Sequence, residues 1–239
     1  MDSSKKRKRR GVGGLEPPSL EVEAKRVTDE SRSVIFVLEN AQLETARLNS
    51  QICLLNADDH KNYLAKYQKE IASYRPDILH QSLLTILDSP LCKMDHVSDI
   101  YIHTSSNVLI RVDPATKLPR TFNRFAGLMA QLLQKFAIRA EKGPGKLLKC
   151  IKGPVTQYLP GDAHVIALSR EGEHKQKARA LMEGLDDGRS LVFVVGAFAH
   201  GHLDISYADR VVSLTELPLS AACCLSKLTH ALEDKWDIA

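Results

Sequence analysis

The sequence lacks the features of a secreted or membrane-embedded protein. No apolar stretch approaches the ~20 residues that cross a bilayer, and no apolar segment follows the charged N-terminus to form a signal peptide. The 239 residues include only five cysteines, with no CxxC pair and no spacing typical of a disulfide framework. We therefore expect reduced thiols, as in an intracellular protein, and a chain long enough for a substantial core.

Familiar catalytic and phosphate-binding motifs are also missing. The chain has no GxGxxG, no Gly-Lys-Ser/Thr loop and no GxSxG motif. The sequence His200-Gly201-His202 resembles a metal-binding pair, but no cluster of Cys, Asp or Glu accompanies it. Two histidines around a glycine are more typical of an exposed loop, so we expect no metal site.

Positive charge is concentrated in two stretches of the chain. The formal net charge is +4, yet residues 1–14 alone carry +5, from six Lys/Arg and one Asp. Residues 111–152 carry +8, from ten Lys/Arg and two acids. For any single lysine a solvated surface position is the ordinary explanation, whereas the segment as a whole favours a surface that binds a polyanion.

The N-terminal residues 1–32 differ in composition from the rest. The stretch KKRKRRGVGG is basic and of low complexity, so it cannot pack a core and is predicted to be disordered. It is typical of a nuclear localisation signal or an RNA-contacting arm, and equally of a solubilising tail. A linker over residues 15–32 joins it to a predicted domain over residues 33–239.

Strands alternate with helices along this domain, which predicts an α/β fold with a mainly parallel sheet. Predicted strands cover residues 33–40, 164–169, 191–196 and 210–214, and an alternating pair at 99–104 and 108–113 predicts a hairpin. Apolar spacing and end signals predict helices over residues 41–49, 59–68, 75–90, the stretch after Thr121, 175–185 and 218–236.

Two places in this pattern indicate binding. The stretch VFVVGAFAHG, residues 192–201, is a buried strand that runs into two glycines, as at ligand pockets of α/β proteins, although a tight turn of the core would also need glycine. Lys117, Arg120 and Arg124 flank the start of a predicted helix, whose positive end also attracts phosphate.

Four stretches in order resemble one family. RPDILHQSLLTILDSPL (75–91), PRTFNRFAGLM (119–129), VFVVGAFAHG (192–201) and VSLTELPLSAA (212–222) resemble the eukaryotic Nep-type rRNA pseudouridine-N1-methyltransferases of the SPOUT superfamily. The resemblance spans roughly residues 33–239. It implies a SPOUT-type α/β fold with a C-terminal trefoil knot, a homodimer, and S-adenosyl-L-methionine as methyl donor.

The resemblance also implies a substrate, a location and partners. The acceptor would be a pseudouridine in small-subunit ribosomal RNA, with a role in small-subunit biogenesis in the nucleus and nucleolus, beside ribosome assembly proteins. An alternative of another class is an assembly factor that binds pre-rRNA and for which methylation is secondary. A nucleotide-binding enzyme is disfavoured by the missing phosphate motifs.

Site residues follow from the resemblance position by position. Arg75, Lys117, Arg120 and Arg124 match RNA-contacting positions, with Lys117 where Arg is frequent. Asp77 matches a residue that orients the arginine at Arg75, and a general-base role for Asp77 is the minority interpretation. The cofactor-binding positions correspond to Leu168, Gly196, Gly201, Leu214, Thr215, Glu216, Leu217, Pro218 and Leu219. Thr215, Glu216 and Leu217 depart from the family's usual Ser-Asn-Tyr at this place.

Overall fold

The computed structural model describes residues 32–140, 145–172, 174–186, 188–203 and 205–238. The predicted disordered tail and most of the linker lie outside these residues. The strands are β1 (Val34–Ala41), β2 (Thr45–Leu48), β3 (Gln51–Leu54), β4 (Val97–Thr104), β5 (Leu109–Val112), β6 (Ala137–Arg139), β7 (Lys146–Ile151), β8 (His164–Leu168), β9 (His174–Lys175), β10 (Leu191–Gly196) and β11 (Arg210–Ser213). The helices are α1 (Lys61–Lys66), α2 (Pro76–Asp88), α3 (Pro90–Lys93), α4 (Phe122–Lys135), α5 (Ala178–Glu183) and α6 (Ala221–Trp236).

Nine strands of the described chain form one sheet in the order β6-β7-β5-β4-β1-β10-β8-β11-β9. The six strands from β4 to β9 in this order run parallel, and β5, β7 and β6 are added antiparallel at one side. The predicted mainly parallel α/β fold is therefore confirmed. The carboxyl ends of β1, β4, β8, β10 and β11 share one edge, which is where such sheets bind ligands.

The centre of the sheet is buried on both faces. In β1, Val34, Phe36 and Leu38 pack into the large core with α2, α4 and α6, while Ile35 and Val37 pack into a second core on the opposite face. This burial explains why β1 and β10 are continuous apolar runs rather than alternating ones. In the described part of the chain, no helix combines the length and apolarity needed to cross a membrane.

Most predicted elements are present, but one is wrong. Residues 41–49, predicted as a helix, instead enter a hairpin in which β2 pairs antiparallel with β3. Asn49 and Ser50 form its two-residue turn with φ of +46° and +70°. Two consecutive left-handed residues are the geometry that matches the twist of paired strands, and Asn is a residue that tolerates it.

Local sequence explains the ends of the site-bearing helices. Pro76 occupies the first turn of α2, where its missing N–H costs no hydrogen bond, and Asp77 lies beside the positive helix end. Thr121 precedes α4 in an extended conformation, without a capping hydrogen bond from its side chain. Ser220 caps α6 by accepting a hydrogen bond from the Cys223 N–H at 3.2 Å.

Candidate active site and basic face

A cavity of about 620 Å³ opens at the carboxyl ends of β8, β10 and β11. This volume is in the range of sites for small molecules and cofactors. Eight of the nine predicted cofactor-binding positions line it: Leu168, Gly196, Gly201, Leu214, Thr215, Leu217, Pro218 and Leu219. The structure thus brings together residues that are up to 51 positions apart in the chain, from 168 to 219.

Glu216 is the predicted cofactor position that does not line the cavity. Its side chain is 80% exposed and pairs with Lys175, with Nζ and Oε1 3.2 Å apart. The other residues of the turn at 214–219 line the cavity, whereas the charged side chain of Glu216 remains in water, where solvation favours it. A side-chain contact from Glu216 to a ligand in this cavity is therefore not supported.

Gly196 and Gly201 both lie close to the aromatic ring of Phe198. A Cβ on Gly196 would lie 2.6 Å from Cε1 of Phe198, closer than carbon atoms can pack, and a Cβ on Gly201 would lie 3.7 Å from Cε2 of the same ring. Gly201 also has a φ of +123°, which favours glycine. The glycines therefore seat Phe198 and bend the chain at the cavity wall, a reason that the sequence pattern alone does not reveal.

Arg75 connects this cavity to the predicted RNA-contacting residues. It precedes α2 and lines the cavity, and Asp77 holds its guanidinium in a bidentate pair, with Nε to Oδ1 at 2.8 Å and Nη2 to Oδ2 at 2.7 Å. This pair raises the pKa of Arg75 above its usual value. Both carboxylate oxygens of Asp77 are engaged and Asp77 is absent from the lining, a geometry that suits orientation of Arg75 rather than proton abstraction.

The two predicted RNA-contacting stretches lie against each other through a buried histidine. His80 of α2 stacks on Phe125 of α4, with ring centroids 4.4 Å apart, and its Nε2 lies 2.8 Å from the carbonyl oxygen of Pro119. Burial lowers the pKa of His80, and the hydrogen bond to Pro119 opposes that shift in part. His80 therefore attaches the loop that carries Lys117 and Arg120 to α2.

Within this basic face, which comprises Arg75, Lys117, Arg120 and Arg124, the cations are spread rather than gathered at one point. All four are exposed. Arg120 donates to both carboxylate oxygens of Asp88, the last residue of α2, whereas Arg75 lies before its first residue. A 13-residue helix is about 20 Å long, so the face spans roughly that distance.

The charge of segment 111–152 is partly balanced by acids outside it. Arg120 pairs with Asp88, and Arg111 pairs with Asp99 of β4. Exposed Lys146 and Lys149 lie on β7, and Lys142 falls outside the described residues. Local counting of charge could not find these pairings because they join residues that are distant in sequence.

A buried polar network at the same sheet edge was missed by sequence reasoning. Glu39, 4% exposed at the end of β1, accepts hydrogen bonds from Tyr207 at 2.7 Å and from His103 Nδ1 at 2.7 Å. The Glu39 carbonyl also accepts from the Ala197 N–H at 2.7 Å. These bonds attach the segment after β10 to β1 and β4, and the only sequence signal is one acid inside an apolar strand.

Comparison with known proteins shows which proteins this chain resembles. A solved structure of Archaeoglobus fulgidus Nep1 bound to S-adenosylhomocysteine superposes with a TM-score of 0.71 at 25% identity, covering 86% of this chain and 99% of that one. The ribosomal RNA small subunit methyltransferase NEP1 of Mus musculus is 46% identical over 207 residues, 87% of this chain and 83% of the relative. The Drosophila melanogaster protein of the same name is 39% identical over 97% of this chain and 96% of its own.

The fold is thus that of an α/β protein with the Nep1 architecture, and its large cavity lies at the carboxyl ends of parallel strands. A family model described as EMG1/NEP1 methyltransferase matches residues 36–233. The chain belongs to the EMG1/NEP1 methyltransferase family, which confirms the family suggested by the four sequence stretches.

Proposed function

We propose that this protein transfers a methyl group from S-adenosyl-L-methionine to N1 of a pseudouridine in small-subunit ribosomal RNA. The observation that supports this most is the 620 Å³ cavity lined by eight of the nine family cofactor positions. Its wall combines apolar side chains such as Leu168 and Leu219 with backbone at Gly196 and Gly201, a lining that fits a nucleoside and an amino-acid end. The related A. fulgidus Nep1 was solved with S-adenosylhomocysteine.

The protein's own part in this reaction is placement. The cofactor, when bound, supplies a methyl group already activated on a sulfonium. Arg75, held by Asp77 at the cavity mouth, would bind an RNA phosphate and bring the acceptor base to the cavity. The base has to leave its stacked position in the RNA to reach the cavity. Lys117, Arg120 and Arg124 would hold the flanking backbone.

Calorimetry with S-adenosylmethionine, followed by methylation of rRNA fragments, tests this function. We expect binding of the cofactor and methyl transfer to a fragment that carries pseudouridine, with none to the same fragment carrying uridine. Absence of cofactor binding would overturn the proposal. Cofactor binding and RNA binding without transfer would favour the alternative, an assembly factor for which methylation is secondary.

The chain topology supports a proposed knot. Strand β11 lies in the sheet between β8 and β9, which are consecutive along the chain. A Cβ on Gly172, between β8 and β9, would lie 2.6 Å from the Val212 carbonyl carbon, so the two segments cross with no space between them. We infer that the C-terminal segment passes through a preceding loop as a trefoil knot, one of the rare exceptions to unknotted topology.

Assembly, location and cellular role belong to the same proposal. Leu217 exposes 68% of its surface at the cavity rim, where a second copy would cover it in a homodimer. Light scattering should give twice the mass of the chain. Residues 1–14 would direct the protein to the nucleus and nucleolus for small-subunit biogenesis, so their deletion should reduce nuclear accumulation and leave methylation in vitro nearly intact.

A further inference from the structure

A second cavity lies beside the large one. It measures about 210 Å³ and is lined by Asn40, Gln42, Ser73, Ser105 and the segment Phe198–His202. The same five residues of that segment also line the large cavity, so the segment is the wall between the two. The smaller cavity, named here the amide cleft, has no part in the function described so far.

The amide cleft continues the ligand-binding edge of the sheet. Asn40 follows Glu39, which pairs with Gly196 across β1 and β10. Ser105 follows the end of β4 and its N–H donates to the Ala41 carbonyl at 3.0 Å. The cleft therefore lies at the carboxyl ends of three adjacent parallel strands. Ser73 lines it only two positions before Arg75, which lines the large cavity.

The polar groups of the cleft are arranged to meet a planar imide. Gln42 Oε1 accepts a hydrogen bond from Ser105 Oγ at 2.6 Å, which leaves the Gln42 NH₂ group to donate to a ligand. Asn40 is exposed and left-handed, with φ of +56°, and among the described residues its amide has no hydrogen-bond partner. Two amides thus offer donors and an acceptor at one place.

Phe198 adds a flat apolar surface to these amides. Its ring is seated on Gly196 and Gly201, and it lines both cavities. It is half-buried, so part of the ring is free to contact a ligand. Enzymes that act on a flipped base read its hydrogen-bonding edge and stack it on aromatic or apolar side chains, and the cleft contains both kinds of group.

We propose that the amide cleft holds the acceptor base by its N3 edge, the carbonyl–imide–carbonyl edge of a uracil-type ring. Gln42 donates to one ring carbonyl, Asn40 accepts from N3–H, and the ring stacks on Phe198. This arrangement turns the N1 side of a pseudouridine toward the large cavity. The inference rests on the proposed function and deepens it, because it names the groups that recognise the base.

Binding of mononucleotides in the presence of saturating S-adenosylhomocysteine tests the inference without any turnover. The probes are pseudouridine 5′-monophosphate and its N3-methyl derivative, which cannot donate at N3, and chemical-shift titration suits their weak affinity. We expect the wild type to prefer the unmethylated nucleotide about tenfold, the discrimination typical of a well-placed polar pair. A wild type that binds both nucleotides equally would overturn the inference.

Substitutions in the cleft assign that preference to residues. Asn40→Gly removes the amide while tolerating the positive φ, and Gln42→Glu keeps the shape but removes the donor. Asn40→Gly should reduce the preference to below about threefold, because Asn40 accepts from N3–H. Gln42→Glu should weaken the binding of both nucleotides, because both keep the ring carbonyl to which Gln42 donates. Gln51→Ala, an exposed position at the start of β3, is the matched control and should retain the wild-type affinities and preference. An unchanged preference in Asn40→Gly, or wild-type affinity for both nucleotides in Gln42→Glu, would refute the assignment.

The same titrations separate failure of the inference from failure of the proposed function. Affinity for S-adenosylhomocysteine should be unchanged in the cleft variants, and this measurement serves as the control that they remain folded. If the wild type binds S-adenosylhomocysteine and methylates pseudouridine but shows no N3 preference, only the amide cleft is wrong. If it binds no S-adenosylhomocysteine, the proposed function itself fails.

Discussion

The sheet edge with its two cavities and the basic face depend on different kinds of interaction. At the sheet edge, close backbone approaches and buried hydrogen bonds position Gly172, Gly196 and Glu39. On the basic face, exposed arginines pair with acids that also lie near the surface, as Arg120 does with Asp88. Where a residue packs against backbone, a larger side chain cannot be accommodated. Exposed ion pairs, in contrast, contribute little to the free energy of folding and are screened by salt. Substitutions should therefore have large effects at the sheet edge and small, additive effects on the basic face.

The largest effect is expected for Gly172→Val. Its Cβ would meet backbone atoms of Val212 and Ser213 at 2.6–2.7 Å, and backbone cannot move aside as a side chain can. We expect a loss of about 3 kcal/mol or more in unfolding free energy, or roughly 6–12 °C in melting temperature.

Gly127→Ala is the matched control for this prediction. A Cβ on Gly127 has nothing within 4 Å, and the residue lies on the exposed side of α4. This change should stabilise the protein by about 0.5–1 kcal/mol through helix propensity. If Gly172→Val melts like the wild type, the two crossing segments are not in close contact.

Gly196→Ala should have the next largest effect, on cofactor affinity. The new Cβ would displace the Phe198 ring, which forms part of the wall of the large cavity. We expect the affinity for S-adenosylmethionine to fall at least about tenfold, equivalent to ~1.4 kcal/mol. Calorimetry measures this, with Gly161→Ala as a control because its Cβ would meet nothing within 4 Å. An unchanged affinity would show that Phe198 does not shape the cofactor site.

The difference between edge and face also explains how far the sequence could predict the structure. The apolar strand that ends in Gly196 and the proline at the start of α2 are local signals, so β10 and α2 were predictable. The hairpin β2–β3 was not predicted, because the composition of residues 41–49 favours a helix. The Asn49-Ser50 pair that forms the left-handed turn is a weaker signal for a hairpin. Glu39 with Tyr207, 168 positions apart, and Arg120 with Asp88 depend on tertiary folding and leave no local pattern.

On the basic face, Arg120→Ala combined with Arg124→Ala should weaken RNA binding. Each lost phosphate contact lowers the slope of log affinity against log salt by about 0.7–0.9. Binding of an rRNA fragment at several salt concentrations measures the slope, and cofactor affinity should not change. Lys146→Ala with Lys149→Ala is the control, because both lysines are exposed on β7 and belong to the same +8 segment. Equal losses of RNA affinity in both double variants would indicate that the RNA-binding surface extends over the whole segment.

Smaller effects on RNA affinity, a gain in one case and a loss in the other, are expected when the acids of the two arginine pairs are removed. Asp88→Asn releases Arg120 for RNA and should raise RNA affinity about twofold, the scale of an exposed ion pair. Asp77→Asn also frees an arginine, but Arg75 then loses the orientation that places it at the cavity, so RNA affinity should fall. An increase in both variants would contradict the positioning role of Asp77.

The smallest and most specific difference is in the pH dependence of stability, because folding raises the pKa of His103 at the sheet edge and lowers the pKa of His80 beside the basic face. Burial lowers the pKa of His103, but hydrogen bonds to Asn107 and Glu39 and the charge of Glu39 raise it overall. Its stabilisation is therefore complete below the unfolded pKa of about 6.5 and is lost as pH rises through the folded value. His80, with a pKa lowered mainly by burial, is stabilising above about pH 6.5, and this contribution is lost as pH falls toward its folded pKa.

Urea unfolding from pH 5 to 8 measures both contributions. The difference in unfolding free energy between the wild type and His103→Gln should shrink with rising pH, and the difference between the wild type and His80→Gln should grow. Parallel profiles for the two variants would show that the hydrogen bonds to Glu39 and Asn107 do not outweigh the burial of His103.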